Sequence, residues 1–246
     1  MPSSSAPSSH TQGLALRRPL SFVTGRKFFL LFLFLLADLI FYPYVSDTVG
    51  TRYYIFRTLG VVVILLSVHA VGSRKLLIFI ALALAIPATL EHAAFFHTNM
   101  GERSIVNIVL SFAFDVFVIV AIFRRVYAPG RPTAETIFGA VSIYLLIGFT
   151  FARLYAIIAA VRPHAFFLDP ATNAHSVPVG FDFIFFSFGS MTTLGAGGIV
   201  AVLPQVRSFS MIESIVGVLY LAVMISRLIS AYRPDFPTPQ SSGNAD

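Results

Sequence analysis

The stretch "FDFIFFSFGSMTTLGAGGIVAVLP", Phe181 to Pro204, decides how the chain is read. It opens as an aromatic helix, breaks at Thr192-Thr193, runs through Gly195, Gly197 and Gly198, and becomes apolar again. The helical part covers roughly residues 181–192, too short for the roughly 20 residues that cross a bilayer core. The surrounding chain is nevertheless a membrane chain, because 57% of the residues are hydrophobic and only 11% are charged. A soluble domain carries about a quarter charged residues, and runs such as "FFLLFLFLLADLIFYPYV" would aggregate in water. A short apolar helix followed by a glycine-rich break therefore reads as a re-entrant segment. Backbone that is neither helix nor closed barrel is tolerated at membrane depth only when it is buried in protein or lines a water-filled cavity.

Working outward from this stretch, six apolar segments are long enough to span: roughly 28–46, 54–71, 76–95, 105–123, 135–160 and 209–230. The re-entrant segment lies between the last two. Residues 1–27, rich in Ser, Pro and Gly, read as a disordered tail rather than a signal peptide, since the apolar run that follows is too long and has no small-residue cleavage site. Lys and Arg set the orientation. Arg17, Arg18, Arg26, Lys27, Arg74, Lys75, Arg124, Arg125, Arg131 and Arg233 fall on one side, against Arg52, Arg57, Arg103, Arg162 and Arg207 on the other. Both termini are thus expected in the cytoplasm, which an even number of spans also requires, and the plasma (inner) membrane is the expected location. The net charge of +6 is then accounted for by topology and contact with anionic lipid headgroups, and no nucleic-acid partner is expected. Residues 233–246 form a short polar tail with no room for a cytoplasmic ligand-sensing domain. The chain has no cysteine, which excludes disulfides, zinc-thiolate sites, iron–sulfur clusters and thiol nucleophiles.

Glycines at alternate positions allow left-handed backbone at Gly195 and Gly197, so that successive carbonyls converge on one side. A row of such carbonyls can replace the hydration shell of an alkali cation. On these residues the chain resembles the potassium-channel superfamily, whose pore domain is an outer helix, a pore helix, a T-x-G-[YF]-G filter and an inner helix. The resemblance covers about residues 135–232: Asp182 opening the pore helix, the aromatic run Phe183 to Phe188, the Thr192-Thr193 pair, Leu194-Gly195-Ala196-Gly197, and "RSFSMIESIVGVLYLAVMISRLI" as inner helix. The resemblance implies an all-α membrane protein of six transmembrane helices, with a pore helix and filter re-entering between the fifth and sixth. It divides the chain into the tail 1–27, a four-span domain 28–125, a pore domain 133–232 and the tail 233–246. It also implies potassium held by the backbone of Thr193, Leu194, Gly195 and Ala196, with Gly197 closing the filter, Thr192 ending the pore helix and Gly217 as a gating hinge. Each chain supplies a quarter of every ion cage, so a homotetramer is implied, and no cofactor beyond the permeant ion.

Two positions depart from the family's T-x-G-Y-G-D. Ala196 stands where the aromatic belongs and Gly198 where the acid belongs, and with no Trp in the chain the usual cuff behind the filter is missing. Phe185, Phe186 and Phe188 are the side chains available to refill that space. A looser filter discriminates less well between potassium and sodium, so a weakly selective cation channel and a non-conducting, channel-like regulatory subunit stand as alternatives.

Ionisable residues inside spans read as functional or as structural pairs. Asp38 in the first span and Arg57 at the start of the second are expected to pair across a hairpin. Arg153 late in the fifth span and Glu213 early in the sixth are expected to brace the pore helix from behind. Asp115, mid-way along the fourth span, has no evident cationic partner, with Asn107 and His69 as polar candidates, and Glu91 and His92 sit near the outer end of the third. "SIVNIVLSFAFDVFVIVAIF" carries no Arg or Lys ladder, so strong voltage gating is not expected. His164 and His175, in the loop before the pore helix, are candidates for pH sensitivity at the outer mouth. No His-x-x-x-His or Gly-x-Ser-x-Gly motif is present, so enzymatic function is not expected. A secondary transporter would show matching broken helices in two related halves, and only one break exists. Replacing Ala196 with Tyr restores the family's aromatic; in bi-ionic recordings the variant is expected to prefer potassium over sodium more strongly than the parent chain.

Overall fold

A computed structural model describes residues 26–45, 61–68, 70, 79–81, 83–85, 105–128 and 133–231. In chain order these form α1 (Lys27–Val45), helical residues 61–68 and 79–81, α2 (Ile105–Val126), α3 (Ala134–Val161), β1 (Phe166–Leu168), α4 (Gly180–Met191), β2 (Ile199–Ala201) and α5 (Pro204–Ala231). The stretches Lys27–Tyr44, Ala134–Val161 and Pro204–Ile229 are long and apolar enough to cross a membrane. They coincide with the first, fifth and sixth expected spans, and the 22-residue α2 runs the length of the fourth. Most of the second and third expected spans, both tails, and the calls on Arg57, His69, Glu91 and His92 lie outside the described residues.

The central helix is α3, which α1, α2, α4 and α5 all contact. Its start is fixed by Thr133, whose hydroxyl accepts from the Thr136 N–H at 3.3 Å while Thr136 Oγ1 accepts from the Thr133 N–H at 2.7 Å. This reciprocal capping satisfies two donors that a helix start otherwise leaves open. Gly139 then lets α3 approach its neighbours, since a Cβ there would lie 2.6 Å from Val126 Cγ2 of α2 and 3.3 Å from the Phe28 ring of α1. Glu135 accepts from the Phe28 N–H at 3.1 Å, so the start of α1, the end of α2 and the start of α3 meet at one end of the bundle. Inside α3, Ser142 and Thr150 return their hydroxyl protons to the carbonyls of Phe138 and Leu146, so neither of these hydroxyls is left open on an apolar helix.

Two expectations need correction. Arg153 pairs with Asp115 of α2, not with Glu213, and its charge also acts on Asp38 of α1. The reason is helical rotation: Arg153 and Tyr155 are two residues apart, about 200° around α3. Arg153 therefore faces α1 and α2, while Tyr155 faces the α4–α5 side and takes the contact with Glu213. The fold also contains a strand pair. β1 and β2 run antiparallel in the register Phe166↔Ala201, Phe167↔Val200 and Leu168↔Ile199, joining the loop after α3 to the segment before α5.

Because Asp115 is buried, Asp115→Ala is expected to lower thermal stability by about 2 kcal/mol through loss of compensation for a charge held among apolar helices. Exchanging the two charges, Asp115→Arg with Arg153→Asp, should recover part of that loss in the same melting measurement.

Candidate functional site

The site is built around α4. Its first turn is closed by Asp182, whose carboxylate accepts from the Val179 N–H at 2.7 Å and lies 2.9 Å from His175 Nε2. An acid in this position complements the positive end of the helix dipole. Of the two loop histidines, His175 thus meets the start of α4, whereas His164 sits in left-handed backbone with φ 69°.

The inward side of α4 packs into an aromatic cluster. Phe186 meets Tyr155 edge-on at 5.0 Å and Phe166 at 5.2 Å, and Phe166 meets Phe183 at 5.6 Å. Edge-to-face pairs of this kind contribute about 0.5–1.5 kcal/mol each beyond area burial. Phe188 lies against Gly148 of α3, where a Cβ would sit 2.6 Å from its ring, and packs edge-on to Phe149. Two of the three phenylalanines expected behind the filter are therefore used there. Phe185 is not, being 37% exposed on the opposite side of α4.

Glu213 of α5 is fully buried at the junction of α3, α4 and α5. Tyr155 Oη donates to Glu213 Oε2 at 2.6 Å, and Ser187 of α4 bonds the other carboxyl oxygen. The Ser187 hydroxyl also lies 2.7 Å from the Gly148 carbonyl, so its single proton is shared between two acceptors. Sequence reasoning placed Glu213 behind the pore helix and missed its partners. The available signal was Tyr155, the hydroxyl-bearing residue on the face of α3 opposite Arg153.

The last turn of α4 and the glycine-rich segment are joined by main-chain bonds. Thr192 N–H and Thr192 Oγ1 both donate to the Phe188 carbonyl, at 2.9 and 2.6 Å, and Gly195 N–H donates to the Gly189 carbonyl at 3.0 Å. Gly189 is small because the segment lies on it: a Cβ there would come within 3.1 Å of Gly195 O and Ala196 N. From α5, Ser214 Oγ donates to the Ser190 carbonyl at 2.8 Å and Ser210 Oγ to Ser190 Oγ at 2.9 Å. Gly217 brings α5 against the end of α4, since a Cβ there would meet Met191 Cγ at 2.6 Å and Met191 O at 2.7 Å.

Left-handed backbone occurs at Thr193 (φ 60°), Gly195 (φ 82°) and Gly198 (φ 84°), but not at Gly197, which corrects the expected alternation. Gly198, not Gly197, takes the strained position because the chain turns there: Ile199 N–H donates to the Ala196 carbonyl at 3.0 Å. Among the described residues, the carbonyls of Thr192, Thr193, Leu194, Gly195 and Gly197 accept no hydrogen bond, while that of Ala196 closes the turn. Leu194 is 77% exposed. The carbonyl of Gly198 accepts twice, from Asp169 N–H at 2.8 Å and Asn173 Nδ2 at 3.0 Å.

Residues 141–233 match the model of a family described as ion channel. The matched ion channel domain takes in most of α3, all of α4, the glycine-rich segment, the β1–β2 pair and all of α5, and leaves α1 and α2 outside. The matched family is one of ion channels and not of enzymes, and the match, together with the apolar helices, suggests a membrane protein. No curated protein and no solved structure matches the chain.

The Glu213 junction should carry measurable stability. Glu213→Ala leaves the Tyr155 hydroxyl buried without its acceptor, while Ser187 keeps the Gly148 carbonyl, at an expected cost of about 1–3 kcal/mol. Glu213→Gln retains the shape and one acceptor and should cost less than half as much in thermal melts of the detergent-solubilised protein.

Proposed function

We propose that this chain is one subunit of a homotetrameric cation channel that passes potassium down its gradient, with the carbonyls of Thr193, Leu194 and Gly195 as the ion's ligands. The observation that carries the reading is the run of carbonyls from Thr193 to Gly195 that accept no hydrogen bond, in a segment tied on one side by Thr192 N–H to the Phe188 carbonyl and on the other by Asp169 N–H to the Gly198 carbonyl. Peptide groups at membrane depth need a partner, and a desolvated cation supplies one. Left-handed backbone at Thr193 and Gly195 on either side of Leu194 supports the convergence of these carbonyls on one axis. Four chains complete the cage. The exposed apolar side chains of α5, among them Ile212, Ile215, Leu219 and Val223, give the subunits a surface on which to meet. The C-terminal end of α4 points its negative dipole at the entry to the row.

In this reading Gly217, resting on Met191, is the point about which the inner half of α5 pivots. Lys27, Arg124, Arg125 and Arg227 lie at the end of the bundle where α1 begins and α2 ends, facing the cytoplasm and the anionic headgroups of the plasma membrane. The commitment of the Ala196 carbonyl to Ile199 favours one alternative, a weakly selective cation pore with three full rings of ligands.

Purified tetramer reconstituted into planar bilayers under potassium and sodium gradients tests the proposal. A reversal potential displaced towards potassium is expected, each tenfold preference moving it by about 59 mV. Reversal near zero under bi-ionic conditions defeats potassium selectivity, and absence of current from intact tetramer defeats the channel.

A further inference from the structure

The segment 193–195 has no hydrogen bond on its carbonyls, so the spacing between them is set by how its two ends are held. The inner end is tied to α4 and α5 through Thr192, Ser190 and Gly189. The outer end runs into Gly198, where the sequence lacks the acid that would ordinarily anchor it. A different anchor is present. Residues 169–173 form a compact turn in which Thr172 N–H and Asn173 N–H both donate to the Asp169 carbonyl, at 3.1 and 3.0 Å, and Ala171 N–H donates to Asp169 Oδ1 at 3.0 Å. This turn lies over Gly198. Asp169 N–H and Asn173 Nδ2 supply both donors that the Gly198 carbonyl can accept, and Asn173 Nδ2 bonds the Asp169 carbonyl at 3.0 Å as well. Its two protons are thus shared among the two carbonyls, one on each side of the junction, and Thr172 Oγ1 at 3.1 Å.

We propose that Asn173 is a positioning residue for ion selectivity: through its side-chain amide, with the Asp169 N–H beside it, it clamps the Gly198 carbonyl and fixes the outer end of the conducting row. The proposal rests on the channel reading above. Gly198 belongs to the same device, because any side chain there would collide with Thr172 Oγ1 and lie 3.0 Å from Asn173 Nδ2, in backbone already left-handed. The clamp continues directly into the β1–β2 pair through the adjacent Leu168↔Ile199 position, so the turn is held from behind as well. A loop 25 residues upstream therefore does the work that a side chain inside the filter does in the pattern the sequence departs from.

Two variants test this. Asn173→Asp keeps the shape and replaces both donor protons with an oxygen facing two carbonyls, and Asn173→Ala removes the group. They are compared so that misfolding of one leaves the other to decide. In bi-ionic bilayer recordings the potassium-to-sodium permeability ratio is expected to fall severalfold in both, an effect that a role confined to folding would not produce in channels that still open. In hydrogen–deuterium exchange on the detergent-solubilised protein, peptides covering residues 166–169 and 198–201 should exchange at least tenfold faster, with α3 and α5 unchanged. An unchanged exchange rate overturns the clamp, as does an unchanged permeability ratio in conducting variants. If the parent chain passes no current, the channel reading fails while exchange still decides whether Asn173 holds the segment.

Discussion

The rest of the domain depends on how the short non-helical passage between α4 and β2 is held, because bonds from α4, α5 and the loop after α3 fix its ends in place of a helix of its own. The consequences extend through the domain. Met191 and Ser190 are held by α5, Gly189 has no side chain because the passage lies on it, and the loop after α3 folds back to supply donors to Gly198. The carbonyls left without a donor, those of Thr193, Leu194 and Gly195 among them, are then the chemically distinctive feature of the domain.

The support for that passage is distributed differently from what its sequence suggests in isolation. Without Trp, the volume behind α4 is filled by Tyr155, Phe166, Phe183 and Phe186, and by Phe188 over Gly148. Their rings give bulk but no hydrogen bonds except through Tyr155. The polar component comes from Glu213, which joins α3, α4 and α5 with a single carboxyl group. The N-terminal helices connect separately, through Arg153 to Asp115, on the other face of the same α3. One helix therefore carries two polar junctions, and the rotation between residues 153 and 155 keeps them apart.

The parts of this architecture legible from sequence were those encoded locally. α4 was expected at roughly 181–192 and occupies Gly180–Met191, because an acid at its start and a Thr pair with glycines after its end mark both limits. The fifth span was placed within about one residue at each end, with Thr133 and Glu135 marking its start and Pro163 following its end. The sixth begins earlier than expected, at Pro204, since proline at a first helical position extends the helix into residues whose polarity reads as loop. Pairings across elements were not legible. Arg153 and Glu213 lie at similar depth, and depth is what hydropathy reports, whereas the choice between Asp115 and Glu213 depends on which face of α3 each neighbour occupies. The strand pair escaped because three residues give no periodicity to read, and the Asn173 contact because loop side chains carry no pattern at all.

Gly198 also constrains how the sequence can change over time. An acid placed here in one step would be strained, because the backbone is left-handed and its Cβ would collide with the overlying Thr172 Oγ1 and press on Asn173 Nδ2. The loop would have to move first, and moving it releases the Gly198 carbonyl from both donors. The glycine-rich segment and the loop are therefore mutationally coupled across 25 residues: each makes the other's present residue the tolerated one, and the order of substitutions decides whether an intermediate sequence keeps the two joined.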